Sequence, residues 1–367
     1  MKKVRHVLGI SGGKDSAALA IYMKQHYPNL DIEYYTCDTG KELEETYQLI
    51  KNLESYLGKT ITRLVGAEDS PEDPFDHFLK MYGGYLPSSN ARWCTKKLKL
   101  DPFENFVGND PVISYVGIRG DEDRDGYISK KTNIQSIFPF RKNIWSEDVI
   151  TKVLNNKETA RNLELVKELG LNVSNRFVEL LQQDVSMNFN RKSKLVQLLD
   201  TDAIAFNKLV ARYLQDTDYP LAVEKDFPLV TSTDNLVRDD IFKLLENSGV
   251  GVPDYYKKVA FEVNGKKGEY ARSRSGCYFC FFQQKIEWVW LHEQHPERFA
   301  KAMAYEKDGF TWNQSESLTE LIAPARVEQI KEEYIKRTKR KKENAQSPFL
   351  LDILDDAESE GCAACFI

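Results

Sequence analysis

Cysteine, histidine and uninterrupted hydrophobic stretches are all scarce in this 367-residue sequence. No apolar run approaches the roughly 20 residues that span a bilayer. The chain passes from Met1-Lys2-Lys3 straight into a strand signal, without the leader of a secretory peptide. No membrane partner is expected, and a cytoplasmic location is. Six cysteines are too few for a disulfide scaffold of this length, and four of them form two C-x-x-C pairs. In a reducing compartment that pattern suggests metal or redox chemistry. The net charge of −5 gives no overall attraction to nucleic acid, so such binding has to come from a local basic patch. The G-x-x-x-x-G-K-[ST] spacing of a Walker A loop is also missing. What remains, 41% apolar and 29% charged, is the composition of a globular protein able to bury a core and hold more than one module.

The strongest positive signal is Ser11-Gly12-Gly13-Lys14-Asp15-Ser16, set between Val7-Leu8-Gly9-Ile10 and Ala17 to Met23. Strand, glycine turn and helix follow in that order. Adjacent glycines let the turn bring its N–H groups toward an anion, and the helix start adds its positive dipole end. Ser11 and Ser16 contribute hydroxyls and Lys14 a mobile charge, a set suited to polyphosphate. Strand and helix signals alternate through the first hundred residues, which predicts an α/β fold: a doubly wound, mostly parallel sheet binding ligands beyond the carboxyl ends of its strands. Asp38-Thr39-Gly40 follows the second strand, and 66–87 reads as a loop-rich cover. Val112 to Val116 leads into Gly117-Ile118-Arg119-Gly120-Asp121-Glu122-Asp123-Arg124, where the Arg119 fork suits phosphate beside Lys14. The acidic triplet suits either Mg²⁺ shared with phosphates or an exposed turn.

A second cluster is Ser275-Gly276-Cys277-Tyr278-Phe279-Cys280-Phe281-Phe282. Alone, C-x-x-C is compatible with zinc, a dithiol or an iron–sulfur cluster. Cys94, in a basic stretch where Thr95 is placed to cap a helix, is the natural third ligand. Three thiolates suit a [4Fe–4S] cluster with one open iron, with zinc as the alternative if a fourth ligand joins. The aromatic residues read as a hydrophobic shell, and His292 and His295 as surface residues. Phe138-Pro139-Phe140 and Phe227-Pro228-Leu229 bracket a largely helical insertion over 151–226, drawn as a domain to 235, which has no cysteine or histidine over 151–226 and reads as a packing or protein-partner module. Six of the seven residues Lys336 to Lys342 are basic, suited to nucleic acid or to a solvated helix end. Cys362 and Cys365 near the terminus suggest a redox arm, or Cys362 as the fourth ligand.

The string S-G-G-K-D-S resembles the PP-loop of the ATP pyrophosphatases. With D-T-G after the second strand, R-W-C-T-x-x-L-K, V-G-I-R-x-D-E-x-R, and S-G-C-x-F-C-F-F-Q followed by E-W-x-x-L-x-x-x-H-P, the chain resembles the PAPS reductase-like family, which includes the sulfurtransferase subunit of DNA phosphorothioation. The resemblance covers roughly 4–150 and 236–306. It implies an adenine nucleotide alpha-hydrolase-like, Rossmann-like fold divided as 1–150 for the PP-loop domain, 151–235 for the insertion, 236–310 for a cluster-binding region and 311–367 for a charged tail. It further implies ATP cleaved to AMP and pyrophosphate, with Lys14 and Arg119 catalytic. Ser11, Gly12, Gly13, Lys14, Asp15, Ser16, Asp38, Thr39, Gly40, Gly117 and Arg119 would contact nucleotide, with Mg²⁺ on the phosphates. The acceptor would be nucleic acid, and a cysteine desulfurase or other donor would supply sulfur. The Glu-Cys-Gly-type tail of the reductases proper is missing. A sulfonucleotide reductase and a nucleotide-binding subunit of a multi-protein, antiviral assembly stand as alternatives.

Overall fold

The computed structural model describes residues 3–122, 129, 131–307 and 309–344. The alternation read from the sequence becomes β1 (Arg5–Gly9), α1 (Lys14–His26), β2 (Ile32–Asp38), α2 (Glu44–Leu57), β3 (Ile61–Val65) and α3 (Pro74–Met81). Next come α4 (Trp93–Thr95), a π turn over Lys96–Leu100 and α5 (Asp101–Val107), then β4 (Val112–Tyr115) and β5 (Ile134–Ile137). Thr95 lies inside this continuous helical backbone and makes no cap. The five strands form one parallel sheet in the order β3-β2-β1-β4-β5. The order reverses between β1 and β4, and at such a switch point the loops leaving the two strands part and open a crevice.

The remaining elements are α6 (Glu147–Val153), α7 (Thr159–Glu168), α8 (Asn175–Gln182), α9 (Arg191–Leu214) and α10 (Arg238–Asn247). They are followed by the hairpin β6 (Val259–Val263) and β7 (Lys266–Tyr270), then α11 (Lys285–Gln294), α12 (Pro296–Ala304), α13 (Leu318–Leu321) and α14 (Pro324–Asn344). Two hydrophobic cores organise them. The first joins α1 (Leu19, Ile21, Met23) to Trp145, Phe177, Phe206, Leu209 and Leu245, so the insertion helices share one core with the sheet domain. The second is built from both ends of the chain: Leu43, Phe75, Phe78 and Trp93 pack with Tyr278, Phe279, Trp288, Trp312 and Ile330. Trp312, Leu318 and Ile330 are buried there, so the chain after residue 310 begins as packed structure. The second core carries the cysteine loop across to the crevice of the first. No helix among the described residues is long and apolar enough to cross a membrane.

Candidate functional site

The glycine loop leaves β1 at the switch point. Ser11 N–H donates to Ser16 Oγ at 3.1 Å, Ser16 Oγ donates to the Gly13 carbonyl at 3.2 Å, and Gly13 N–H reaches Ser11 Oγ at 3.4 Å. The two hydroxyls expected to meet phosphate thus also hold the turn in shape. Gly12 has φ +72°, and a Cβ there would stand 2.2 Å from Thr46 Cγ2, so conformation and space both demand glycine. Two tyrosines distant in sequence brace the loop: Tyr255 OH donates to the Gly12 carbonyl at 2.8 Å, and Lys14 N–H donates to Tyr256 OH at 3.3 Å. Nothing in the local sequence signalled them.

Lys14 and Arg119 meet on one carboxylate. Lys14 Nζ lies 2.8 Å from Asp15 Oδ2 and Arg119 Nη1 2.9 Å from Asp15 Oδ1, with side chains only 4–6% exposed. Arg119 also pairs with Asp121 at 2.8 Å and Glu122 at 2.6 Å. Burial pushes the Asp15 carboxyl up, but Lys14 and Arg119 outweigh it and hold the group below its ordinary range. Burial opposes the charge on Arg119, and Asp15 and Glu122 outweigh it, raising that guanidinium's pKa. Gly117 lets the segment after β4 press against α1, since a Cβ there would lie 2.9 Å from the Asp15 carbonyl oxygen. Asp123 and Arg124 lie outside the described residues.

The Asp38-Thr39-Gly40 turn sits at the end of β2. Asp38 Oδ1 accepts from Gly40 N–H at 2.7 Å and from Tyr47 OH at 3.1 Å, and Arg63 pairs with Oδ2 at 2.6 Å. Thr39 Oγ1 donates to buried Glu42 at 2.6 Å and stands 3.2 Å from Cys277 Sγ. With Glu42 ionised, the one hydroxyl proton is committed to it, and the Cys277 thiol donates to Thr39. Backbone pairing fixes the approach: Tyr278 N–H donates to the Lys41 carbonyl at 2.8 Å, beside an antiparallel bridge between Glu42 and Cys277.

The cysteine loop reaches the glycine loop as well. Ser275 Oγ donates to the Ser11 carbonyl at 3.4 Å, and a Cβ on Gly13 would stand 2.5 Å from that Oγ. Glu287 on α11 ties both ends of the loop. Its Oε1 accepts from Ser273 N–H and Oγ at 2.6 and 2.7 Å, and its Oε2 from Gln284 N–H at 2.9 Å. Buried Arg272 donates Nη2 to the Cys277 carbonyl at 3.0 Å, while its Nε and Nη1 have no hydrogen-bond partner among the described residues. That leaves a buried cation beside the cysteine loop and 5.9 Å over the ring of Tyr255, the tyrosine that braces Gly12, an arrangement that favours an incoming anion.

Cys94, Cys277 and Cys280 line one cavity of about 60 Å³, walled by Phe75, Phe279 and Trp312. None of these thiols is in a disulfide. Burial pushes the Cys277 thiol well up. As the side chains stand, no group of three or more His, Cys, Asp or Glu among the described residues is arranged to hold a metal ion. His292 and His295 pack on the rings of Phe299 and Trp290. Cys362 and Cys365 lie outside the described residues.

A parallel α/β domain whose three site loops gather at its switch point defines a doubly wound, Rossmann-like protein. Residues 5–145 match the phosphoadenosine phosphosulfate reductase domain and place this segment in the PAPS reductase-like PP-loop family. An uncharacterized protein of Methanocaldococcus jannaschii is 34% identical over 146 residues, a stretch covering 36% of this chain and 28% of that relative. The matched part of the chain therefore spans little more than a quarter of that relative's length.

Proposed function

We propose that the chain is an ATP pyrophosphatase that adenylates a nucleic-acid acceptor and directs sulfur to it. Family membership of residues 5–145 supports an enzyme of the PP-loop type. The observation that carries the reading further is the joint between the two loops, with Ser275 over Gly13 and Cys277 against Thr39. A nucleotide in the glycine loop is then a neighbour of the thiol cavity.

In the proposed reaction an acceptor oxygen attacks the α-phosphorus, the α–β bridge bond breaks and pyrophosphate leaves with the electron pair. Lys14 and Arg119 exchange part of their hold on Asp15 for the departing phosphates, stabilising charge as it develops. Mg²⁺, bound through the phosphates, would share that charge. Sulfur at the sulfide level then displaces AMP; a cysteine desulfurase would carry it in as a persulfide, whose outer sulfur a thiol reductant first releases as sulfide, the thiol being oxidised to a disulfide. The acceptor–oxygen bond breaks as the acceptor–sulfur bond forms, with no redox change in that displacement. The thiols as they stand do not close a metal site, and no step here runs through one. Iron and sulfide analysis after anaerobic purification tests the [4Fe–4S] expectation, and stoichiometric zinc without iron contradicts it.

The direct test is product analysis with ATP and a nucleic-acid acceptor. AMP and pyrophosphate in equal amounts support the proposal, and ADP with orthophosphate contradicts it.

A further inference from the structure

The second half of α14 supplies a charge pattern that the nucleotide site does not use. Its first half is fixed in place by acidic residues and by packing. Lys331 pairs with Glu293 at 2.6 Å, Lys266 with Glu332 at 3.1 Å, and Ile335 closes on Gly268, where a Cβ would come within 2.9 Å of Ile335 Cγ1. Immediately after that contact, four of the five residues from Lys336 to Arg340 are basic, and Lys336, Arg337, Lys339 and Arg340 are exposed. On a helix, neighbours three and four apart lie about 5–6 Å from one another, so Lys336, Arg337 and Arg340 form one compact cationic stripe.

The stripe leads to the thiol cavity. Arg337 Nη2 donates to Gln284 Oε1 at 2.8 Å, and Gln284 is the N-cap of α11, four positions after Cys280. Between them lie Phe281 and Phe282, half-buried, with ring centroids 4.3 Å apart and the Arg92 guanidinium 5.4 Å over the Phe282 ring. Arg274 and Lys99 continue the positive charge into the cavity wall. A run of cations beside half-exposed aromatic rings is the combination that binds a phosphate backbone and stacks unpaired bases.

Cavity size narrows the occupant. At about 60 Å³ the thiol cavity falls well below the roughly 300 Å³ at which pockets begin to enclose a small molecule. An acceptor presenting one atom or edge from outside fits it better than a small molecule taken in whole.

From these observations we infer that the Lys336–Arg340 face of α14 is a docking track for single-stranded nucleic acid, leading an unpaired base over Phe281 and Phe282 to the mouth of the Cys94–Cys277–Cys280 cavity. The inference rests on the proposed function for the identity of the acceptor, but its test is separate.

The full chain is titrated by fluorescence anisotropy with a labelled single-stranded oligonucleotide across a salt series, for the wild type, the Lys336→Glu/Arg340→Glu variant and the triple variant that adds Arg337→Glu. The expected result is at least a tenfold loss of affinity in the triple variant. Its salt slope should be shallower by about 2, since single strands contribute about 0.7 per phosphate neutralised. Unlabelled poly-glutamate should displace the oligonucleotide far less well than unlabelled strand does. Unchanged affinity in both variants overturns the track, as does poly-glutamate or an anionic phospholipid vesicle competing as well as the strand. ATP binding by wild-type protein is measured in parallel. Its retention alongside such a result overturns the track alone, and its absence overturns the proposed function as well.

Discussion

Thr39 Oγ1 and Cys277 Sγ stand 3.2 Å apart, although 238 positions separate them in the chain. One belongs to the loop after β2 and the other to a loop whose ends are tied by α11. Their contact joins the sheet domain's crevice to the thiol cavity, and Ser275 repeats the joint at the glycine loop. Charge in one loop is therefore felt in the other.

Asp15 holds Lys14 and Arg119 on its one carboxylate. Lys14→Ala or Arg119→Ala is expected to slow pyrophosphate release by about 10²–10³, the usual effect of removing one group that stabilises developing charge. Asp15→Asn takes the paired carboxylate from buried Lys14, while Arg119 keeps Asp121 and Glu122, and is expected to cost about 3–5 kcal/mol without nucleotide. ATP should then raise the unfolding midpoint of this variant more than that of the wild type, as differential scanning fluorimetry would measure.

Gly13 has φ −93° and ψ 163°, a conformation alanine adopts freely, so the consequence of Gly13→Ala is steric. Its Cβ would meet Ser275 Oγ at 2.5 Å and force the two loops apart. A loss of about 1–3 kcal/mol in stability is expected, the usual cost of overpacking. ATP affinity should fall with it. Adding Ser275→Gly should restore both, which calorimetric titration of the single and double variants would check.

Glu287 accepts from Ser273 at one end of the cysteine loop and from Gln284 at the other. Glu287→Ala leaves those half-buried donors unpaired, at up to about 1–3 kcal/mol each. The loop should loosen before the fold does, so alkylation of Cys280 should accelerate at denaturant concentrations where tryptophan fluorescence still reports native protein.

The strand-turn-helix at residues 5–26 was legible because its apolar run, glycines and helix register fall within one short window. β2, β3 and β4 were legible for the same reason. β5 is four residues long, and β7, Lys-Lys-Gly-Glu-Tyr, has no alternating apolar pattern, so neither announced itself. The three cysteines that share a cavity were legible from residue type, the C-x-x-C spacing and the basic setting of Cys94, since few other side chains ligate metals or carry sulfur. Tyr255, Tyr256 and Arg272, and the contact of Ser275 with the glycine loop, were missed because their partners lie more than two hundred positions away or on backbone atoms. Such contacts exist only after folding and leave no local pattern. The insertion looked separable because its helices are amphipathic, yet Phe177, Phe206 and Leu209 bury their apolar faces in the core that α1 also fills.

Burial, and after it the neighbouring Asp38, pushes the Glu42 carboxyl from its ordinary 4.5 up to about 7. The folded protein then holds this proton to higher pH than the unfolded chain, so its contribution to stability is full below 4.5 and is lost as pH rises to about 7. Glu42→Gln should remove that decline, seen as a smaller difference between urea midpoints at about pH 5 and about pH 8 than in the wild type.

That the glycine loop and the thiol cavity are one site is tested most directly by the alkylation rates of Cys94, Cys277 and Cys280, followed by mass spectrometry with and without ATP. Saturating ATP is expected to change the rates at Cys277 and Cys280 several-fold in the wild type and to leave them unaltered in Lys14→Ala. Identical rates with and without ATP in a wild-type protein shown to bind the nucleotide would contradict the coupling of the two loops.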